Sequence, residues 1–345
     1  MIRGALEVFF VLVLLSLAIS PGAAAQTSDP CLVPPITWWF LTPIPPGWWP
    51  IPGSSGWFFY LITTNKAAPG CAPPPECPCS TSPGAPAPPK AGSPVYLATG
   101  DVYVEQIDVS LPGLSGGLNL RRTWNSLWPY IETQHSVGIF GPHWRSTYEE
   151  SVFVGSDNYL KYARGDGGFW SFGLSPAGTW VVAAPAGAAA TLSQAGNYWQ
   201  ISFGNGERRL FDYTTGLLSS IVDRNGNTTT LSYDSSNRLG TVTSAASQHL
   251  YLNYGTGSSN YLVTSVTSDF GVSLSYAYDA QGRLIQVTRP DTTTVSFTYN
   301  TQSQITAVTD NEGKVLESHT YDASGRGLTS SQANGVNAVS IAYPQ

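Results

Sequence analysis

The segment Tyr278-Asp279-Ala280-Gln281-Gly282-Arg283-Leu284 is one copy of a repeat that occupies the second half of the chain. An aromatic residue, usually followed by Asp, recurs there every 21 to 24 residues. The recurring aromatic residues are Phe211, Tyr233, Tyr254, Tyr278, Tyr299, Tyr321 and Tyr343. A fixed period of this size is typical of a repeat array, in which each unit buries its apolar face only against its neighbours.

Each repeat carries the signals of two short strands and two turns. Apolar and aromatic residues alternate with Ser, Thr or Ala in residues 272–278 and 295–299, which predicts half-buried strands. Turns are favoured by Gly282 and by the pair Asn225-Gly226. We therefore expect the repeat aromatics to lie in the core, although a ladder of tyrosines that stacks on polysaccharide is the alternative. The predicted core residues are Phe211, Tyr233, Tyr254, Tyr278, Tyr299 and Tyr321.

The pattern Tyr-Asp-x-x-Gly-Arg-Leu, seen at residues 278–284 and echoed at 233–239, resembles the YD repeat of Rhs (rearrangement-hotspot) and teneurin-type proteins. The resemblance implies a long antiparallel β-sheet that spirals into a hollow shell. Three repeats depart from the pattern. Tyr254 lacks the Asp, residues 299–305 lack the Gly-Arg pair, and Gly327 stands where Leu would follow Arg326.

Residues 94–210 predict a second β-rich region that precedes the repeats. Residues 95–104 indicate strand, turn and strand, and residues 118–126 indicate a further strand. Together with the segments Leu111-Pro112-Gly113 and Gly141-Pro142-His143-Trp144, they resemble the domain of unknown function that heads Rhs shells, which implies architecture but no catalytic residues. The expected fold is all-β, with this head followed by a YD-repeat array at 211–345 that forms a partial shell and is incomplete at its C-terminus.

The N-terminus has the features of a signal peptide. Arg3 precedes an apolar stretch at residues 8–19, and Ala23-Ala24-Ala25 offers small residues for cleavage. A membrane anchor is the alternative, but the apolar stretch is shorter than the ~20 residues that a spanning helix needs. We therefore expect residues 1–25 to be removed, leaving an exported protein, secreted or at the cell surface, with no transmembrane span.

Residues 26–93 form a segment rich in Trp, Pro and Cys that ends in a stiff, proline-rich linker at 67–93. Its cysteines are even in number, which predicts two disulfides in an oxidising compartment. Zinc is the alternative, but no His lies in the segment and the Cys spacing is not a usual ligand pattern. The disulfide candidates are Cys31, Cys71, Cys77 and Cys79.

Aromatic residues are concentrated between positions 38 and 60, where no helical or strand period is visible. One interpretation is a plug that packs onto the β-region, because exposed rings would favour aggregation. The other is a docking surface for glycans or lipid headgroups, since Trp offers a flat apolar face with a polar edge. The candidate surface residues are Trp38, Trp39, Trp48, Trp49 and Trp57.

Side chains that could support catalysis are better explained as structural. Ser115 lies in a Gly-x-Ser-x-Gly pattern, but a strand follows it where a nucleophile elbow requires a helix. The neighbouring Glu149 and Glu150 would point to opposite faces of a strand, so we expect solvated carboxylates. Asp223 begins a turn that lacks the Gly and Glu of a calcium loop. The four histidines are scattered, and we expect surface or structural roles for His135, His143, His249 and His319.

The composition fits a structural β-protein. Hydrophobic residues make up 42% of the chain and charged residues only 11%, and the net charge of −6 argues against nucleic-acid binding. No cofactor is expected. The family resemblance implies a non-enzymatic shell that encloses a toxin or effector at the C-terminus of the same polypeptide. The alternative is a stand-alone, wall-associated protein that binds cell-wall carbohydrate.

Overall fold

The computed structural model describes residues 36–43, 57–64, 90–91, 95–97, 99–127, 137–155, 158–175, 177–184 and 188–343. Within these ranges the protein consists of β-strands, turns and three single-turn 3₁₀ helices. The 3₁₀ helices span Leu114–Gly116, Gly257–Ser259 and Ala333–Gly335. Among the residues described, no helix has the length and hydropathy required to cross a membrane.

The aromatic segment contains a pair of strands. β1 (Ile36–Pro43) runs antiparallel to β2 (Trp57–Thr64), with Ile36 opposite Thr64. The sequence shows no strand period here because alternation appears only when one face of a strand is polar, and apolar residues fill neighbouring positions in both strands. The lack of a period therefore did not mean a lack of strands.

The next strands along the chain are β3 (Lys90–Ala91), β4 (Val95–Tyr96), β5 (Tyr103–Leu111), β6 (Leu118–Asn125), β7 (Val137–Gly138), β8 (Gly141–Pro142) and β9 (Trp144–Ser146). The head, defined as residues 95–146, is built around a three-stranded antiparallel sheet in the order β5, β6, β9. Two small strand pairs, β3 with β4 and β7 with β8, flank this sheet.

The rest of the described chain forms a single sheet of 19 strands, in which every strand is hydrogen-bonded to its neighbours in sequence. All the pairings are antiparallel, so the sheet is a continuous meander. The strands are β10 (Ser151–Val154), β11 (Leu160–Ala163), β12 (Phe169–Leu174), β13 (Trp180–Ala184), β14 (Ala190–Ala195), β15 (Tyr198–Phe203), β16 (Arg208–Asp212), β17 (Leu218–Val222), β18 (Thr228–Tyr233), β19 (Leu239–Thr243), β20 (His249–Tyr254), β21 (Val263–Ser268), β22 (Ser273–Tyr278), β23 (Leu284–Thr288), β24 (Thr294–Tyr299), β25 (Ile305–Asp310), β26 (Val315–Tyr321), β27 (Gly327–Gln332) and β28 (Val339–Ser340).

The sheet curls back on itself at its beginning. Ser151 of β10 forms an antiparallel bridge to Leu217, next to β17, and the Val152 N–H donates to the Gly216 carbonyl at 2.8 Å. The first strand of the sheet thus meets its eighth. We call β10–β17 the ring and β18–β28 the repeat sheet.

A glycine is required where the ring closes. Gly216 has a φ of +70°, and a Cβ at this position would lie 2.0 Å from the Val152 carbonyl oxygen. A side chain would therefore meet main chain that cannot move without opening the closure. The closure therefore requires glycine in the turn before β17.

One face of the repeat sheet is apolar and the other carries Ser and Thr. In β22 the buried Leu274 and Tyr276 alternate with exposed Ser273 and Ser275, and β24 alternates in the same way. The apolar face joins the buried side chains of the head and ring in one continuous core. The alternation in sequence thus marks the face that the head covers.

The predicted fold class is confirmed: the protein is all-β, with a large antiparallel sheet and a β-rich head. The predicted division after residue 210 falls inside β16, so it separates sequence patterns rather than hydrogen-bonded units. Residues 151–210 lie in the same sheet as the repeats. In this structure, the head that is distinct from the sheet ends before Ser151.

Candidate functional site

The hydroxyl of each repeat tyrosine forms a hydrogen bond between the two strands at the open end of its hairpin. Each repeat tyrosine up to Tyr321 ends a strand, and the hydroxyl of every repeat tyrosine, Tyr343 included, donates to the carbonyl of the first residue of the preceding strand at 2.6–3.0 Å. Because Phe has no hydroxyl, only Tyr makes this bond, and Phe211 at the start of the series lacks it. The pairs are Tyr233 with Leu218, Tyr254 with Leu239, Tyr278 with Val263, Tyr299 with Leu284, Tyr321 with Ile305, and Tyr343 with Gly327.

The aspartate of the motif holds the turn that follows. Asp279 Oδ1 accepts the main-chain N–H groups of Gln281 and Arg283, and its Oδ2 accepts the Arg283 Nε at 2.6 Å. Asp234 and Asp322 make the same set of contacts in their own repeats. The hydrogen bond from the arginine lowers the pKa of Asp234 below its usual value.

The arginine of the motif reaches the next repeat. The Arg283 guanidinium lies over the ring of Tyr299, 5.1 Å from its centre, and its Nη1 donates to the Asn300 carbonyl. Arg238 covers Tyr254 at 4.9 Å and Arg326 covers Tyr343 at 4.1 Å. Tyrosine therefore links a repeat backward and arginine links it forward, with the aspartate fixing the arginine between them.

The degenerate repeats keep their register by substitute contacts. Asn300 Oδ1 accepts the N–H groups of Gln302 and Gln304, and its Nδ2 donates to Gln304 Oε1 at 2.6 Å. This neutral Asn–Gln pair replaces the Asp–Arg pair. Tyr254, which is followed by Gly, still bonds the Leu239 carbonyl at 3.0 Å.

The missing leucine after Arg326 is explained by the head. The Gly327 N–H donates to the Gly100 carbonyl at 2.8 Å. A Cβ on Gly327 would lie 2.5 Å from Cγ2 of Val102. A side chain at this position would therefore displace the head, so this departure from the motif marks a contact between head and repeats.

Aromatic side chains of the head cover the inner face of the repeat sheet. Trp144 packs edge-on against Phe297 with 5.1 Å between ring centres, and its Nε1 donates to the Tyr299 hydroxyl at 3.3 Å. Phe140 lies 4.9 Å from Tyr276. The head thus packs aromatic side chains against the apolar face of the repeats.

A buried ion pair lies within this covered face. Arg122 in β6 is 1% exposed and its Nη2 donates to Asp108 Oδ1 at 2.8 Å. The Tyr276 hydroxyl donates to Asp108 Oδ2, also at 2.8 Å, and the guanidinium lies over the Trp144 ring. Sequence reasoning missed this group, because a charged residue in an alternating strand normally indicates a solvated face.

Alternate residues of β6 face two different environments. Arg122 and Trp124 contact the repeat sheet, whereas Asn119, Arg121 and Thr123 line a cavity of about 650 Å³ against the ring. We call it the ring-mouth cavity. One face of β6 therefore packs against the repeat sheet, and its other face lines the ring-mouth cavity.

The predicted solvation of the paired glutamates was wrong. Glu150 lines the ring-mouth cavity, is buried, accepts the Tyr162 hydroxyl at 2.7 Å and lies 3.1 Å from the Arg209 Nε. Glu149 is buried beside Arg145, and its Oε1 accepts the Ile139 N–H at 2.8 Å. Burial raises the pKa of both carboxyls. Ring closure encloses these residues, and no local pattern could reveal that.

Both glutamates also line a second cavity of about 580 Å³, bounded by Tyr233, Arg238 and Tyr261 of the repeats. Glu150 reaches the ring-mouth cavity as well, and each carboxyl has its own partners, Arg145 and the Ile139 N–H for Glu149 and Tyr162 and Arg209 for Glu150.

The other candidate residues serve structural roles where they are described. Ser115 lies in the 3₁₀ turn after β5, and its hydroxyl donates to the Ile221 carbonyl at 3.1 Å. Asp223 Oδ1 accepts two N–H groups of its own hairpin turn. His143 is buried with its Nδ1 2.8 Å from the Asn125 carbonyl, while the partly exposed His249 pairs with Asp269.

The predicted repeat-core residues lie against the common core. Phe211 is fully buried, and the five tyrosines, Tyr233, Tyr254, Tyr278, Tyr299 and Tyr321, pack half-buried on the same cluster.

His319 is buried in β26. The cysteine candidates, His135, Trp48 and Trp49 lie outside the described residues. Trp38, Trp39 and Trp57 fall in β1 and β2, and their side chains are likewise not described. Within the described ranges, His, Cys, Asp and Glu form no metal-binding group.

Comparison with known families matches two successive parts of the chain. Residues 92–172 match a family described as Domain of unknown function (DUF6531), which spans the head and the start of the ring. Residues 212–249, 262–294 and 278–315 match the RHS Repeat. The chain is an Rhs/YD-repeat protein. The order of head and repeats is the one that the sequence resemblance implied.

The Rhs chain is similar to two curated Bacillus proteins over part of its length. The tRNA nuclease WapA of Bacillus subtilis (strain 168) is 29% identical over 258 residues, which cover 69% of this chain and 11% of WapA. The tRNA3(Ser)-specific nuclease WapA of Bacillus spizizenii matches with the same identity and coverage. The chain thus spans about a tenth of the length of these relatives.

The comparison with solved structures matches the Photorhabdus luminescens Tc holotoxin pore, with a TM-score of 0.30 and 12% identity over 56% of this chain and 12% of that chain. The complex TcdB2-TccC3-Cdc42 gives a TM-score of 0.28 and 12% identity over 68% of this chain and 14% of the other.

Proposed function

We propose that this chain forms one end of a β-shell whose interior holds an effector encoded further along the same polypeptide, and that the head is the plug of that end. The observation that carries the proposal is the covered inner face. The repeats present their apolar face to the inside of the curl, and Trp144, Phe140 and Trp124 of the head fill it.

The geometry of the sheet supports this role. A meander in which each strand pairs with the next can be extended by further hairpins, because every repeat carries its own backward and forward links. The ring closes at β10 and β17, and so gives the spiral a defined start. One end is thereby sealed while the other can continue.

The relatives are consistent with an effector further along the chain. The curated proteins are named as tRNA nucleases, and the part of them that matches here is 11% of their length. We assign this chain a structural role within such a shell.

The test measures the native polypeptide. An antibody raised against the head is used on extracts and culture medium of cells that express the intact gene from its own locus. We expect a species much larger than this chain, together with a fragment from beyond the repeats that resists protease as long as the shell is folded. A single species with the mass of this chain less its leader would contradict the proposal.

A matched pair of variants links the protected fragment to the plug. Trp144→Ala removes the ring that fills the inner face beside Phe297 and should make the enclosed fragment sensitive to protease. Tyr251→Ala, on the outer face of β20 and 38% exposed, should leave protection unchanged. Equal protection in both variants would show that the head does not seal the interior.

Export and envelope contact are part of the proposal. The leader predicted at residues 1–25 supports release from the cell, and the aromatic segment remains the candidate surface for envelope glycans. Trp48→Ala combined with Trp49→Ala should remove saturable binding to purified cell-wall polysaccharide if that segment docks. Unchanged binding would favour the alternative that these rings act as a further plug.

A further inference from the structure

One turn of the head, residues 99–102, is hydrogen-bonded to the repeat sheet at the start of β27. The Gly327 N–H donates to the Gly100 carbonyl at 2.8 Å. Gly100 has a φ of +80°, and a Cβ on it would lie 2.5 Å from the Tyr343 hydroxyl. A Cβ on Gly327 would lie equally close to Val102 of the same turn. The contact therefore joins main chain to main chain at close range, and it depends on the shape of the turn.

Asp101 fixes the shape of the turn by joining it to the chain that follows β6. Its Oδ1 accepts the Leu127 N–H at 2.9 Å and the Ser126 hydroxyl at 3.2 Å. The Ser126 hydroxyl also accepts the Val102 N–H at 2.9 Å. Because Asp101 directly follows Gly100, a movement that takes the carboxyl out of this network also moves the main-chain carbonyl that binds the repeat.

The Asp101 carboxyl is enclosed at the junction of head and repeats. Asp101 is fully buried, and its Oδ2 has no hydrogen-bond partner within the described part of the chain. The arginine of the adjacent repeat, Arg326, instead pairs with Asp322 at 2.7 Å and lies over the Tyr343 ring. Ionisation would place a desolvated negative charge here, so burial raises the pKa of the Asp101 carboxyl to about 7.

The phenols around the turn stay neutral at the pH values at which this carboxyl titrates. Burial raises the pKa of each of them above its usual value, and they are Tyr96, Tyr321 and Tyr343. Tyr103 of β5 stacks on Tyr96, with 4.7 Å between the ring centres. The tyrosines therefore do not supply a charge that changes between pH 5 and 8.

The charged groups near the turn are paired with one another. Arg326 pairs with Asp322, and Arg164 pairs with Asp166 of the β11–β12 turn. In β26, the buried His319 lies 3.5 Å from Glu317. An imidazole titrates near neutral pH, as the enclosed carboxyl does, so an experiment has to separate the two groups.

From these observations we propose that Asp101 is a pH-sensitive latch between the head and the last repeat. In acid the neutral carboxyl tolerates burial, and the turn at 99–102 holds Gly327. Toward neutral pH the carboxyl ionises, and the turn leaves β27 to bring the charge into water, while the rest of the head stays on the repeat sheet. The latch does not depend on what the shell encloses, so it goes beyond the role proposed for the head.

The closed turn and the opened turn release the Asp101 proton at different pH values. The closed turn holds the proton up to about pH 7, whereas an opened turn, exposed to water, releases it above about pH 4. Between these two values each unit rise in pH favours the opened turn by up to about tenfold. Opening should therefore increase about a hundredfold between pH 5 and 8, and most of this increase should occur below pH 7.

Hydrogen exchange at two amides tests the latch on the purified chain. The Gly327 N–H bonds to the latch turn, whereas the Val263 N–H bonds to the Ile139 carbonyl, in another part of the head, also at 2.8 Å. Exchange is followed by NMR from pH 5 to 8 and corrected for the intrinsic rate at each pH. Protection of Gly327 should fall about a hundredfold relative to Val263. Constant protection at Gly327, or an equal loss at both amides, would overturn the proposal.

Two variants assign the effect to the carboxyl. Asp101→Asn keeps an oxygen that accepts the Leu127 N–H but cannot ionise, so protection of Gly327 should no longer depend on pH. His319→Gln removes the imidazole and should keep the hundredfold fall. Persistence of the fall in Asp101→Asn, or its disappearance in His319→Gln, would overturn the latch.

The wild-type protein provides a measurement that does not depend on how the variants fold. The NMR chemical shift of the Asp101 carboxyl carbon should titrate near pH 7, where the loss of Gly327 protection levels off. A carboxyl that titrates near pH 4, as in an unfolded chain, would also overturn the latch.

Discussion

The ring and the repeat sheet belong to one 19-stranded meander, yet they are held in different ways. In the repeat sheet, Tyr, Asp and Arg of one repeat contact the repeats before and after it. The ring strands β10–β16 carry no such motif and depend on the bridge between Ser151 and Leu217, and on buried charges such as Glu150 and Arg209. The repeats are stabilised by links that recur locally, whereas the ring is stabilised by contacts between residues far apart in sequence.

The largest effect should come from opening the ring. Gly216→Ala places a Cβ 2.0 Å from the Val152 carbonyl at a φ of +70°, so the closure must separate. We expect a loss of about 4 kcal/mol in the free energy of unfolding. Urea denaturation followed by tryptophan fluorescence measures it, since Trp170 and Trp180 lie in the ring strands β12 and β13.

The control for this change is Gly226→Ala. Gly226 also has a positive φ, of +87°, but a Cβ there would contact nothing within 4 Å. Backbone strain alone should therefore lower stability by only about 1 kcal/mol. Equal losses for the two variants would mean that ring closure contributes nothing beyond the strain of a turn.

A buried carboxyl in the head should make stability depend on pH. Asp101 is fully buried, with Oδ2 lacking a hydrogen bond among the described residues, and burial raises the pKa of its carboxyl to about 7. The folded state thus holds a proton that the unfolded chain has released above pH ~4. Stability should be greatest in mild acid and should fall by roughly 2–3 kcal/mol between pH 5 and 8.

Two asparagine variants identify the group responsible. Asp101→Asn should reduce the change in melting temperature between pH 5 and 8, because the amide cannot ionise, and the carboxyls of Glu149 and Glu150, whose pKa burial also raises, account for what remains. Asp234→Asn should keep it, since hydrogen bonds from Arg238 lower the pKa of Asp234 and it stays ionised throughout that range. If the pH profile survives Asp101→Asn, the head does not titrate through this carboxyl.

Restoring the leucine of the repeat motif after Arg326 should lower the stability of the protein. Gly327→Leu recreates the Arg-Leu pair of the other repeats but introduces a side chain where a Cβ alone lies 2.5 Å from Val102. Overpacking of this kind should lower stability by about 2 kcal/mol. Adding Val102→Ala should recover part of the loss, and a double-mutant cycle by urea denaturation measures that coupling. If Gly327→Leu stabilised the protein, the restored motif would contribute more to stability than the contact with Val102 of the head.

The difference between the repeat sheet, held by local links, and the ring, held by distant contacts, also explains which features the sequence could predict. The repeat strands, their turns and the all-β class followed from period-two alternation and from the spacing of Tyr and Asp, because the contacts that form them lie within one or two repeats. Ring closure, the burial of Glu149 and Glu150, and the Arg122–Asp108 pair did not follow. Ring closure and the Glu150–Arg209 pair join residues far apart in sequence, and the Arg122–Asp108 pair is enclosed by Tyr276 of the repeats. A charged side chain looks the same in sequence whether it is solvated or enclosed.

The smallest effects should come from single links within the repeat sheet. Tyr278→Phe removes a hydroxyl that donates to the Val263 carbonyl at 2.7 Å, and should lower the free energy of unfolding by about 1 kcal/mol. Tyr251→Phe on the exposed face is the control and should change stability by less than about 0.5 kcal/mol.

Tyr299→Phe distinguishes a link that is purely local from one that the head shares. The Tyr299 hydroxyl donates to the Leu284 carbonyl at 2.7 Å, as in the other repeats, and also accepts the Trp144 Nε1 at 3.3 Å. Loss of the Tyr299 hydroxyl leaves both a buried indole N–H and a carbonyl without a hydrogen-bond partner. The decrease in the free energy of unfolding should therefore exceed that of Tyr278→Phe by up to about 1 kcal/mol. Urea denaturation of both variants beside Trp144→Phe tests this, because Trp144→Phe should abolish the difference. If Tyr299→Phe and Tyr278→Phe lowered the free energy of unfolding equally in the wild-type background, the Trp144 hydrogen bond would contribute nothing, and the head would contact the repeats through aromatic packing alone.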